Sequence, residues 1–213
     1  QTGTQPKVTL TDGTLPGLPL GSNTVCTITN TVKNFDPTFT KTVTSWHANE
    51  DGTWTIVYDV VVKNNSKYAA ITYDLSDKLA FGDGIGASAT ATGPSGPIAG
   101  WNGLDQTTLA TGESLAALGT HTYTVTAIAT LEPGIDPDEL ECPSSEGNGG
   151  FLNRATLKVG DKAYPAQDCR EPMLPTIAKA ADGTPTDNGD GTWTLKYTLT
   201  VQHPGDAGSP QLY

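Results

Sequence analysis

TWTIVYDVVVKN, residues 53–64, sets Trp54, Ile56, Tyr58, Val60 and Val62 at every second position. Side chains along a strand point alternately to opposite faces. The stretch therefore predicts a strand with one continuous apolar face. THTYTVTAIATL (120–131) repeats the pattern with Tyr123, Val125, Ala127, Ala129 and Leu131. GASATAT (86–92) and KVTLTD (7–12) alternate more weakly. No stretch holds a 3.6-residue apolar period over three turns. LDQTTLATGESLAAL (104–118) comes nearest and is read as one or two helical turns. The fold class predicted is all-β.

Composition agrees. The 213 residues include 24 Gly and 15 Pro, and only 16% are charged, which suits short strands joined by turns. A net charge of -11 argues against nucleic acid or an anionic membrane surface as the main partner. No apolar run approaches the ~18 residues of a membrane-crossing helix, so no membrane insertion is expected of this stretch. The sequence lacks an initiator Met and stops abruptly, which reads as a piece of something longer.

An internal repeat sets the domain boundaries. PTFTKTVTSWHANEDGTWTIVYDVVV (37–62) and PTIAKAADGTPTDNGDGTWTLKYTLTV (175–201) share Pro-Thr-x-x-Lys, a Gly/Asn/Asp turn, DGTWT and an alternating strand with Tyr. Lys41 corresponds to Lys179 (179 − 41 = 138) and Trp54 to Trp193 (193 − 54 = 139). A repeat of that length suits an Ig-like β-sandwich. Residues 1–36 are then the last strands of a preceding repeat, 37–172 a complete one, and 173–213 the first strands of the next. The joints, NFDP and REPMLP, are short and contain Pro, which predicts a semi-rigid string.

The same parity test turns up three polar residues on apolar faces. PTFTKTVTS groups Lys41 with Phe39 and Val43. ITYDLSDKL groups Asp77 with Ile71, Tyr73, Leu75 and Leu79. FLNRATLKV groups Asn153 with Phe151, Ala155, Leu157 and Val159. Burying an unpaired lysine or carboxylate costs several kcal/mol. Three such residues in one domain are expected to meet. Alternatively the strands end there and leave them at the rim, or they form a buried ion-pair network without chemistry. If they react, burial lowers the lysine pKa and raises the aspartate pKa. A neutral Lys41 amine then attacks the Asn153 side-chain carbon while Asp77 relays protons, and ammonia leaves. Asp59 and Asp74 are rival acids, but both fall on the opposite face of their strands.

These motifs, PTFTKTV, YDLSDKL and FLNRATL in that order together with YDVVVKN (58–64), resemble the intramolecular isopeptide domains of bacterial surface proteins. The likeness is to the collagen-adhesin A type and the related conserved-repeat surface domains. The resemblance implies an isopeptide bond Lys41–Asn153 with Asp77 as acid. It implies a structural stalk, adhesin or pilus-like module at the extracellular bacterial cell surface, and no turnover enzyme. In CTITN (26–30), Asn30 looks like the tail of a preceding repeat, and Lys179 like the reactive lysine of the next. The partners expected are neighbouring repeats, a host or environmental surface ligand, and head-to-tail self-association of the truncated ends. The alternative is a carbohydrate- or protein-binding module of a large secreted protein, with Trp46 and Trp101 as candidate stacking residues.

Cys142 and Cys169 flank FLNRATLKV in loop-like contexts, ECPSSEG and AQDCREP, and are expected to form a disulfide, with free thiols the alternative. A disulfide places the chain outside the cytoplasm. Cys26 is left over. His47, His121 and His203 are widely spaced, with no ligand pattern, so neither a metal nor a cofactor is expected. TDNGDGTW (186–193) resembles a calcium loop but lacks the glutamate at its twelfth position, and reads as a hairpin turn. GDGIG (82–86) reads as a turn rather than a nucleotide site.

Overall fold

A computed structural model describes Gly21 and residues 35–202. Strands β1 (Thr38–Ala48), β2 (Trp54–Lys63), β3 (Ile71–Leu79), β4 (Ile85–Gly93), β5 (Gly96–Pro97), β6 (Thr108–Leu115), β7 (Thr120–Leu131), β8 (Asn153–Val159) and β9 (Lys162–Asp168) build two sheets. Their orders are β1-β2-β7-β4-β5 and β6-β3-β8-β9, and every pairing is antiparallel. The chain is all-β, an Ig-like β-sandwich. One 3-10 turn, Pro137–Leu140, is the only helical element among the described residues.

The alternation seen in residues 53–64 is the core itself. Ile56, Tyr58, Val60 and Val62 of β2 are fully buried, as are Val125, Ala127 and Ala129 of β7. The facing sheet contributes Tyr73, Leu75, Leu115 and Leu157. Phe151 plugs one end, with ring centroids 5.6 Å from Trp54 and 5.5 Å from Phe81.

The 104–118 stretch corrects the sequence reading: it holds strand β6, not helical turns. Leu109 and Leu115 both point inward, and β6 pairs with β3 through Ile71↔Leu115 and Leu75↔Ala110. β6 takes an extra residue at each of two register shifts against β3, one beside Gly112, whose φ is +60°, and one between Ala110 and Thr108; the Gly112 N–H donates to Asp74 Oδ1 at 2.8 Å. A bulge of this kind breaks the period of two, which is why the strand did not read as one.

YDVVVKN ends in a polar residue with a structural task. Asn64 is fully buried, and its Nδ2 donates to the carbonyls of Ala69, Leu115 and Ala116 at 2.9, 3.2 and 3.0 Å. Its Oδ1 accepts from Ser66 N at 2.9 Å. One side chain thus satisfies the backbone on both sides of a crossover. Removing it strands several partners, each worth about 1 kcal/mol or more. Asn64→Ala should therefore cost about 2–3 kcal/mol in urea unfolding; a loss under about 0.5 kcal/mol would contradict this role.

The sandwich closes along the edge where β1 meets β9. Val43 N, at the bulge of β1, donates to Asp168 Oδ2 at 2.7 Å. Nearby, Cys142 and Cys169 form a disulfide with Cα atoms 5.9 Å apart, joining the segment before β8 to the end of β9.

Beyond the sandwich, β10 (Thr176–Ala181) pairs with β13 (Tyr197–Gln202), and β11 (Thr186–Asp187) with β12 (Trp193–Thr194). TDNGDGTW lies in this hairpin and forms its turn. Its bonds repeat those of the β1–β2 turn: Asn188 N to Thr192 O matches Asn49 N to Thr53 O. Asn188 Nδ2 to Thr192 Oγ1 matches Asn49 Nδ2 to Thr53 Oγ1. KVTLTD, CTITN with Asn30, Cys26 and His203 lie outside the described residues.

Candidate functional site

Lys41 reaches the core from β1, and Asp77 and Asn153 from β3 and β8 of the opposite sheet. Asp77 pairs with Ala155 and Leu79 with Asn153 across the β3–β8 ladder. Directly opposite residues share a face, and Asn153 stands two positions from Ala155. Asp77 and Asn153 are therefore diagonal neighbours on the inner face, within reach of long side chains. Lys41 Nζ donates to Asp77 Oδ2 at 2.5 Å, and both side chains are wholly withdrawn from solvent. Asn153 is equally buried. The three lie inside the sandwich, not at its rim.

The polar bookkeeping of this cluster does not close. Asp77 Oδ1, Asn153 Oδ1 and Asn153 Nδ2 have no hydrogen-bond partner. Buried polar groups are nearly always satisfied, and each exception costs about 1–3 kcal/mol. A carboxamide with neither its acceptor nor its donors used is a poor structural residue.

Electrostatics push the pair toward neutrality. Burial drives the Lys41 amine below its ordinary pKa, and the charge and hydrogen bond of Asp77 oppose this only in part. Burial likewise drives the Asp77 carboxyl above its ordinary value, against the influence of Lys41. The Asn153 amide pulls Asp77 back slightly, although no hydrogen bond of ordinary geometry joins them. A neutral amine beside a protonated acid is the arrangement that attack on a carbonyl needs.

Two participants escaped the sequence reading. Tyr58 borders the cluster: its hydroxyl donates to Phe151 O at 2.7 Å, two residues before Asn153, and its ring lies 4.9 Å from Lys41 Nζ. Its place in the alternation marked it only as core. Asp168 faces Asn153 across the β8–β9 ladder and holds Val43 of β1. Its strand is half exposed and carries Pro165, so no alternation marked it.

The rival acids point away from the cluster. Asp59 accepts from Thr124 Oγ1 at 2.8 Å, and Asp74 from the Gly112 N–H. Trp101 is buried and Trp46 lies under the Arg170 guanidinium, 5.3 Å from its ring, so neither offers an open platform. His121 Nδ1 meets the Tyr73 hydroxyl at 2.8 Å. Lys179 stands on the exposed β10–β13 hairpin, its Nζ 4.0 Å from the Tyr197 ring.

No protein-family model matches the chain, and no curated protein matches it. Among solved structures it is similar to the pilus 2b backbone protein of group B streptococcus. The identity is 15% and the TM-score 0.26, over 78% of this chain and 76% of that one. The site is accordingly read from its own residues.

Proposed function

We propose that residues 37–172 form a tension-bearing module of an extracellular bacterial surface protein, a stalk, adhesin or pilus-like element, locked by an amide bond between Lys41 and Asn153. The observation that carries this reading is the buried Lys41–Asp77 contact beside a carboxamide with no hydrogen-bond partner. Neutral Lys41 Nζ attacks Asn153 Cγ while Asp77 donates a proton to Asn153 Oδ1. Asp77 then carries a proton from Nζ to Nδ2, the Cγ–Nδ2 bond breaks, ammonia leaves, and Oδ1 returns its proton to Asp77 as the carbonyl re-forms. The amide that remains has no charge to bury and removes the lone carboxamide nitrogen. It happens once per chain, so the protein is no turnover enzyme.

The disulfide supports an oxidising, extracellular setting. The matching turns and registers of β1–β2 and β10–β13 support a tandem array in which 173–213 opens the next repeat, with Lys179 in the place of Lys41.

Intact mass tests the chemistry. The reduced wild-type chain is expected about 17 Da below its sequence mass, the mass of one ammonia. Lys41→Met/Lys179→Ala and Asp77→Ala are expected at full mass. A wild-type chain at full mass would end the cross-linking proposal.

A further inference from the structure

The β10–β13 hairpin carries an uncovered apolar face. Direct cross-strand pairs put Ile177 with Val201, Lys179 with Leu199, and Ala181 with Tyr197. Paired residues share a face, so these six side chains form one patch with Lys179 at its centre. Ile177 is 71% exposed and Leu199 61%. An isolated hairpin with such a face is marginal in water, and exposed apolar patches mark contact surfaces.

The same chain shows what covers this kind of face. In β1–β2 the pairs are Phe39 with Val62, Lys41 with Val60, and Val43 with Tyr58. Position for position the two faces match, down to the lysine amine over a tyrosine ring in each. On β1–β2 the face is sealed, with Tyr58, Val60 and Val62 fully buried. The opposing sheet presents Tyr73, Leu75, Ala155 and Leu157, with Asp77 and Asn153 among them.

We propose that, while a copy is folding and its own β1–β2 face has not yet closed on its β3–β8 sheet, the Lys179 face of another copy docks that sheet, and that Lys179 there forms an amide with the Asn153 side chain in place of Lys41. This rests on the function proposed above. Lys179 Nζ bonds to Asn153 Cγ, the Cγ–Nδ2 bond breaks, Asp77 of the receiving copy relays the proton, and ammonia leaves. Two hairpins facing each other would oppose lysine to lysine at the centre, so the acid-bearing sheet is the fitting occupant.

The probe is the full chain with Lys41→Met, which frees Asp77 and Asn153 while keeping the apolar stem. Refolded from urea at high concentration, it should give a ladder of chains that survives denaturant and reductant, each joint about 17 Da short, one ammonia per amide. Lys41→Met/Lys179→Ala should give none; Lys41→Ala serves if the methionine variant misfolds. A full-mass Lys41→Met monomer, beside a wild-type chain that shows its deficit, would overturn the proposal and leave the function standing. A Lys41→Met monomer with the deficit would put the chain's own sheet on the face and also overturn it. A wild-type chain without the deficit would overturn the function itself.

Discussion

Asn153→Ala should unfold roughly 15–20 °C below the wild-type chain. Lys41 and Asn153 are about 110 residues apart, and closing a loop of that length removes about 4.8 kcal/mol of unfolded-chain entropy at 25 °C. Each kcal/mol moves the midpoint of a domain this size by about 3–5 °C. The variant also sheds two unsatisfied polar atoms, so the loss reports the covalent link more than the contacts. The pH profile carries a second signature. In Asn153→Ala, Lys41 keeps an amine whose folded pKa lies below 10.5. The unfolded chain then binds more protons in the window below 10.5, and stability rises with pH there. Asp77, raised above 3.8, acts in the opposite sense: stability falls as pH climbs from 3.8 through its folded value. In the cross-linked wild type the amide nitrogen does not titrate, so the alkaline gain should be missing. Melting curves across pH measure both. Midpoints within about 3 °C at neutral pH, less than one kcal/mol, would mean that no link forms.

Cys142→Ser/Cys169→Ser should cost about 3.5 kcal/mol, the chain-entropy figure for the 27-residue separation of the pair. The effect should reach past the loop. Cys169 follows Asp168, whose carboxylate holds Val43 N and also accepts from Arg170 Nη1 at 3.2 Å. Releasing Cys169 frees the end of β9, and with it the clasp between β9 and β1. Hydrogen exchange at Val43 should therefore quicken in the serine variant by about 10-fold or more, the equivalent of 1.4 kcal/mol of local protection. Unchanged exchange at Val43, alongside a lower midpoint, would confine the disulfide to its own loop.

Much of the sandwich was legible because β2, β3, β7, β8 and the first half of β1 are buried on one face and alternate. There the period of two is imposed by the core, and a lysine, an aspartate and an asparagine out of phase with their polarity stand out. β6 was illegible for the converse reason. Its two register shifts leave Thr111 and Gly112 exposed side by side between the buried Leu109 and Leu115, so the alternation is lost. β9 was hidden because an edge strand needs no apolar face, so Asp168 gave no signal. Tyr58 read as core and is core; its bond to Phe151 O depends on how two sheets stack, which no single strand encodes.

The disulfide spans residues 142–169 and the proposed Lys41–Asn153 link would span 41–153, so the two intervals overlap. A protease cut anywhere between 41 and 153 leaves both fragments joined through the amide. A cut between 153 and 169 leaves them joined through the two cysteines. With both bridges in place, no single backbone scission from 41 to 169 parts the chain. A filament made of such units would survive nicking at any one exposed loop along this span, losing local order before it lost continuity.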